Sequence, residues 1–381
     1  MREPTFTLGI EEEYLLIDRL SRDLVQEVPK GLLAALESRV GSRVAPEFLQ
    51  CQIEVGTGVC ARPAEARAEL VDLRATLDEI ASEFGCAIVA ASTHPFANWG
   101  AQRPTDRERY QILARDLQEV VRRLVIGGMH VHVGIDDDDL RIDLMSQATY
   151  ILPHLLALST SSPFWEGHRT GLMSYRIAVW DELPRTGLPE AFESHSEYQR
   201  HVSALIEAGV IEDATKIWWD IRPSARFPTL EMRLADVCTN VDDAICIAAV
   251  YLCWLRMLYR LRRGNQRWRR YSAMLISENR WRAQRYSTDE GLIDFGRGAI
   301  VPYHELLNEI LDLVAEDAAH FGAEDEIAHA RTILARGTSA HAQLRVYDAA
   351  LSGGASPSEA LRGVVDWLVS ETLSDGASAT R

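Results

Sequence analysis

Glu11 and Glu13 in TLGIEEEYLLID stand two residues apart, as do His130 and His132 in GMHVHVGI and Glu231 and Arg233 in PTLEMRLADVCT. On an extended strand, residues i and i+2 share a face, so each pair projects to one side. Glu11 and Glu13 fall with Gly9, and their backbones lie about 7 Å apart, close enough for both carboxylates to bind one divalent cation or two neighbouring ones. Glu12 falls on the opposite face with Leu8, Ile10, Tyr14 and Leu16. A carboxylate there needs a partner beneath the sheet, and an arginine is the expected one.

The other strands repeat the design. Met129, Val131, Val133 and Ile135 form an apolar row behind His130 and His132, and Leu230, Met232 and Leu234 back Thr229, Glu231 and Arg233. PEFLQCQIEVGT adds Glu47 and Glu54 to an otherwise apolar run. If these strands are neighbours, their polar rows merge into a concave face carrying Glu11, Glu13, Glu54, Glu231, His130, His132 and Arg233. Four carboxylates on one face repel unless hard cations offset them. Oxygen-rich ligation with an occasional imidazole suits Mg²⁺ or Mn²⁺ better than zinc, and magnesium in such sites also binds substrate phosphates. An arginine nearby can then stabilise a phosphoryl group in transfer.

Composition narrows the chemistry. The net charge of −16 argues against nucleic acid or an anionic membrane as partner. Lys30 and Lys216 are the only lysines, which disfavours a Schiff-base mechanism, and no GxxxxGK[ST] phosphate loop is present. The six cysteines are scattered through apolar segments without a C-x-x-C pair, as reduced core thiols are. With neither a signal-peptide pattern nor a long uncharged apolar run, a cytoplasmic location is expected.

The elements that must hold these residues are readable from their periods. Strands are expected at 7–18, 47–55, 86–92, 129–135, 217–221 and 229–237, and helices after Pro63 and over 106–125, 140–158, 197–208 and 241–262, with more beyond Val301. Alternation of polar and apolar residues within the strands favours an antiparallel sheet over a parallel one buried on both faces. The fold class is therefore α+β: a curved antiparallel sheet of about six strands with helices on one face. One catalytic domain over 1–381 is expected, with a sheet-forming part at about 5–240, a helical part at about 241–373 and a frayed tail at 374–381.

Taken together, LGIEEEYLLID, QCQIE, GMHVHVGI, SSPFWEGHRTGLMSYR, WWDIRP and TLEMRLADVCT resemble the carboxylate-amine ligases of glutamate-cysteine ligase type 2, relatives of glutamine synthetase. The resemblance implies a glutamine synthetase-like fold that holds ATP and Mg²⁺. It implies phosphorylation of the glutamate side-chain carboxylate and attack by an amine, nominally cysteine, with cysteine ligation weak or secondary. It also implies Glu11, Glu13, Glu54, His130 and Glu231 as metal ligands, Glu47 as a lesser candidate, and Arg233 as the group that contacts the transferring phosphate. Arg169 and Arg176, with Ser161 and Ser174, are expected to bind the substrate carboxylate, and Asp220 and Arg222 to stand by the polar face among the ligand-binding groups. Glutamate, cysteine or another amine, and ATP are the expected partners, and a homodimer the expected assembly. The alternative is a metal-dependent amide hydrolase, because a His-x-His strand also opens the metal site of amidohydrolase barrels. That chemistry needs further strand-end histidines, from among His154, His168, His195 and His201, and eight strand–helix repeats.

Overall fold

The computed structural model describes residues 2–374, so the expected frayed tail lies outside the described residues apart from Ser374. Its centre is strand β1, Leu8–Asp18, in which buried and half-buried residues alternate from Leu8 to Glu13 as the sequence alternation requires. Around it stand β2 (Val44–Pro46), β3 (Gln52–Gly56), β4 (Cys86–Val89), β5 (Met129–Gly134), β6 (Ile221–Pro223) and β7 (Thr229–Met232). The strand order is β6-β7-β5-β1-β3-β2, with β4 pairing the C-terminal part of β1. Every pairing in this sheet is antiparallel.

Four expected strands are shorter than their apolar runs, that over 86–92 ending at Val89. Residues 47–55 are not one strand: 47–51 form the bend between β2 and β3, where Gln52 N–H donates to Leu49 O, and Phe48, Leu49 and Cys51 are buried in that bend. Apolar residues buried in a turn mimic a strand in sequence. The 217–221 run breaks at Asp220, whose N–H turns aside to Gly187 O, and the 229–237 run leaves the strand after Met232, although Arg233 N–H still donates to Asp220 O in the register of β6 and β7. The expected helix 106–125 likewise breaks at Gln118, with φ of 52°, into Glu108–Leu117 and Glu119–Arg122. Residues 140–158 divide into Asp138–Ala148 and Leu152–Ser159, the second starting beside Pro153.

The helices cover the apolar face of the sheet. In α1, Pro63–Glu83, Pro63 opens the first turn and Leu70, Leu73, Leu77 and Ala81 form the buried stripe. Arg74 lies within that stripe, buried, and its guanidinium meets Glu12 at 2.7 Å. It also donates to Thr239 O and Cys238 O, so the ion pair ties β1, α1 and the chain beyond β7 together. The short helix α2, Tyr175–Trp180, follows a two-strand hairpin at 164–169. Helix α3, Val241–Arg263, starts at Asn240, whose side chain accepts from Asp242 N–H, with acids in its first turn and arginines in its last. It is long and apolar enough to cross a membrane, but most of it is buried in the core. Helix α4, Ala273–Tyr286, and four helices between Tyr303 and Thr372 complete the helical part. All six cysteines are free and buried.

Candidate active site

Register, rather than spacing along the chain, assembles the site. Glu13 of β1 stands opposite Glu54 of β3, and Glu11 stands opposite His130 of β5. His132 stands opposite Glu231 of β7, which in turn faces Arg222 of β6. The polar rows of five strands thus become one concave surface, backed by fully buried Ile10, Val131, Leu230 and Met232.

The acidic groups divide into two sets. Glu11, His132 and Glu231 can bring one ligand atom each to within 4.8 Å of one another, and Glu13, Glu47 and Glu54 can do the same. His130 lies between the sets, with Nδ1 3.3 Å from Glu11 Oε2 and Nε2 3.8 Å from Glu13 Oε1. Thr229 Oγ1 holds His132 Nδ1 at 2.9 Å, while His132 Nε2 is buried without a hydrogen-bond partner among the described residues, 3.5 Å from Glu11 Oε2. A second-atom hydrogen bond of this kind is how a metal-binding imidazole is oriented.

The electrostatics are compatible with a cation. Burial and the neighbouring Glu47 push the Glu13 carboxyl up to about 7, against the pull of Arg176 and Arg233. Glu54 is raised well above the carboxylate range by burial, then by Glu47, Glu11 and Glu13. Glu11 moves the other way: burial opposes its ionisation, but His130 and His132 together hold it well below the usual range. Glu231 is also held low, because Arg233 and Arg222 outweigh its burial. Burial and Arg233 lower His130 to about 4, leaving a neutral imidazole free to donate a lone pair. The donor set therefore fits hard divalent cations: mostly carboxylate oxygen, one or two imidazoles, and like charges that bulk water does not separate.

Two cavities flank these groups. One, of about 370 Å³, is lined by Glu13, Glu47 and His130 together with Trp180, Lys216 and Arg233. The other, of about 550 Å³, opens at the opposite end of the polar rows, over Gly9 and Gly56 and between Val44, Val59 and Phe227. Glu11, Glu54 and His132 border both. A Cβ at Gly9 would lie 3.8 Å from His132 Cβ, and one at Gly56 would lie 3.9 Å from Glu11 Cγ, both ordinary contacts. Crowding does not impose these glycines; bare backbone leaves open space above the sheet.

Of the residues singled out in sequence, Glu11, Glu13, Glu54, His130, Glu231, Arg222 and Arg233 meet at the first cavity. Arg222 and Arg233 both pair with Glu231, and Arg233 Nε is buried without a hydrogen-bond partner among the described residues. Three others stand elsewhere. Arg169 is half-exposed on the hairpin and pairs with Asp348 at 2.8 Å. Arg176 is buried behind the site, where it donates to Leu234 O and Arg233 O. Asp220 is buried against Arg280. None of the three is among the residues that line either cavity.

Ser161 and Ser174 are likewise buried: Ser161 N–H and Ser174 Oγ donate to Asp236. The hydrolase alternative loses its support, since the sheet is antiparallel and the other histidines lie apart from it. His154 is in the helical core, His168 is on the exposed hairpin, and His195 and His201 are on the helix His195–Glu207. Glu47, the lesser candidate in sequence, and His132, placed in sequence on the polar face without a ligand role, each fall in one of the two three-residue sets. Sequence reasoning missed Trp180, Phe227 and Lys216. The ligand assignments turn on cross-strand register, which no periodicity reveals.

Comparison with known proteins agrees with this architecture. Residues 7–369 match the model for glutamate-cysteine ligase family 2. A protein of Rhodospirillum rubrum is 62% identical over 384 residues, covering 100% of this chain and 99% of its own length. One from Jannaschia sp. is 55% identical over 366 residues, covering 96% of both. Both are named, provisionally, glutamate–cysteine ligase 2. Among solved structures, glutamate–cysteine ligase from Francisella tularensis in complex with AMP superposes with a TM-score of 0.69 at 13% identity, over 98% of this chain and 90% of that one. At that identity the likeness is one of fold.

Proposed function

The chain belongs to glutamate-cysteine ligase family 2, and from that premise we propose that it is an ATP-dependent carboxylate-amine ligase that joins the side-chain carboxylate of glutamate to an amine, cysteine being one candidate. The observation that carries this proposal is the pair of three-ligand acidic sets on one sheet face, with Arg233 beside them and a cavity at either end. A ligase must bring a nucleotide and an acid to the same polar centre from two sides.

In this proposal Glu11, His132 and Glu231 form one magnesium-binding set, Glu13, Glu47 and Glu54 form a second, and His130 stands between them. Bound magnesium would offset the charge of the phosphates and polarise the group being transferred. The apolar, glycine-floored cavity suits a flat nucleotide base. The cavity with Trp180, Lys216 and Arg233 suits the acid and the amine. The terminal phosphoryl group leaves the ADP oxygen and joins an oxygen of the glutamate side chain, giving an acyl phosphate. Arg233, held by Glu231, offers its remaining N–H groups to the charge spread over that phosphoryl group. Nitrogen of the amine then bonds to the acyl carbon, the C–O bond to phosphate breaks, and inorganic phosphate leaves as the nitrogen loses its proton. The buried Glu231–Arg222 pair keeps the arginine face rigid while this occurs.

Hydroxylamine trapping tests the intermediate. Incubated with ATP, Mg²⁺ and glutamate, the protein is expected to yield gamma-glutamyl hydroxamate in step with ADP. ADP formation without hydroxamate, across glutamate and other acids, would sink the acyl-phosphate route.

A further inference from the structure

Behind Arg233, away from the acidic face, lies a cluster of charges, buried at Arg280 and Asp220 and open to solvent at Asp181, that the chemistry above does not use. Arg280 of α4 sends Nε to Asp220 Oδ2 at 2.8 Å and Nη2 to Asp220 Oδ1 at 3.2 Å. The same guanidinium sends Nη1 to Asp181 Oδ2 at 2.6 Å and Nη2 to Asp181 Oδ1 at 2.7 Å. One planar cation therefore grips two carboxylates, each through both oxygens.

The backbone of each aspartate leads to the active site within one step. Asp220 O accepts the N–H of Arg233 at 2.8 Å. Asp181 directly follows Trp180, and the Trp180 ring centre lies 5.7 Å from the guanidinium carbon of Arg233. Arg176 holds the remaining side: it donates to Arg233 O at 3.0 Å, and its guanidinium also lies 5.7 Å from the Trp180 ring. The backbone of Arg233 is thus fixed at its N–H and at its C=O, and its side chain lies on a ring whose helix is tethered to the same arginine.

We propose that Arg280 is a positioning residue for phosphoryl transfer: by clamping Asp220 to Asp181 it sets Arg233 and Trp180 relative to each other across the active cavity. The proposal rests on the ligase activity proposed above. Its physical basis is that a group stabilising a transition state must be placed to a fraction of an ångström, whereas ground-state binding tolerates more. Lysine cannot substitute, because one ammonium with three donors cannot serve two carboxylates bidentately.

The test is a double-mutant cycle on kcat and KM, with Arg280→Lys, Arg233→Lys and the pair. Arg280→Lys is expected to lower kcat about 10- to 100-fold while KM for ATP and for glutamate moves less than about threefold. In the Arg233→Lys background the same change should cost less than about threefold, since the group it positions is already altered. An unchanged kcat overturns the proposal, and so does a loss that multiplies in full in the double variant, as a merely structural clamp would give. Should Arg280→Lys fail to fold, Asp181→Asn takes its place, because that side chain is 38% exposed and can be altered without stranding a buried charge. It releases only the Trp180 arm, and the same criteria apply. Wild-type turnover measured alongside separates two failures. If wild type makes no product with any acid or amine, the ligase activity itself is overturned and this proposal with it; if wild type is active and the variants match it, only the positioning role falls.

Discussion

Three adjacent glutamates have three different fates, and the difference is set by what faces each carboxylate. Glu12 is fully buried beneath the sheet, where Arg74 and the Tyr14 hydroxyl donate to it. Glu12→Ala leaves Arg74 buried without its counter-ion, so unfolding free energy should fall by about 3–5 kcal/mol, measured by denaturant titration. Glu13→Gln removes a repulsive charge instead. Its unfolding midpoint should hold or rise while ATP-dependent turnover falls at least about 100-fold; a stable, active Glu13→Gln would remove Glu13 from the ligand set. The alternation of the strand made these opposite faces legible from sequence. It could not separate His130 from His132, because both project to one side and only the partner strands decide which imidazole meets Glu231. Glu13 also predicts a pH effect. Its folded-state pKa of about 7 lies above the ordinary 4.5, so below pH 7 the carboxyl is protonated in the fold and a cation must displace that proton. The rise in thermal midpoint on adding Mg²⁺ should be larger at pH 8 than at pH 6. In Glu13→Gln the difference between the two pH values should shrink, and an equal rise at both in wild type would count against magnesium at this carboxylate.

Strands and turns place these residues, and the least visible element is the turn into β5. Gly128 N–H donates to Glu13 Oε2 at 2.8 Å, and Gly128 O accepts from Glu13 N–H at 3.1 Å. A Cβ at Gly128 would fall 2.3 Å from Arg176 Nη2, in the space through which that arginine reaches the carbonyls of Arg233 and Leu234. Gly128→Ala should therefore fold yet displace Arg176, lowering kcat about tenfold or more with a modest loss in thermal midpoint. Normal kcat would show that the Arg176 contact has no bearing on turnover. Nothing in the period of GGMHVHVGI marks this glycine, because a residue without a side chain has no face. The apolar rows of β1, β5 and β7 were legible for the opposite reason: each is backed by a continuous core. The bend at 47–51 was not, since burial of Phe48 and Leu49 in a turn has the same composition as burial in a strand. Arg280 lay hidden for a third reason: its carboxylate partners are about 60 and 99 positions away in the chain.

At the scale of the molecule, the class of fold followed from alternation in the strands and three-to-four spacing in the helices, whereas the way the helical part closes on the sheet did not. His154 shows what that closure imposes. In sequence it is one histidine in LPHLLALS; in the fold it is buried among Tyr150 and Tyr303, with Nδ1 lacking a hydrogen-bond partner among the described residues. Burial lowers its pKa from 6.5 to about 4, with only a small opposing pull from Asp294. The unfolded chain therefore binds a proton that the folded chain refuses between pH 6.5 and about 4. This histidine costs no stability above pH 6.5, and the cost grows as pH falls through that window, reaching about 2 kcal/mol at pH 5. Other groups titrate over the same range, Glu13 in the opposite direction, so a single stability curve would mix them. His154→Leu isolates the effect, because leucine keeps the site apolar and does not titrate. The unfolding free energy of the variant minus that of wild type should shift by about 2 kcal/mol in favour of the variant between pH 7.5 and pH 5, measured by urea titration at both. A difference independent of pH would mean that His154 accepts its proton in the folded state, and that the helical core around Tyr150 and Tyr303 admits water.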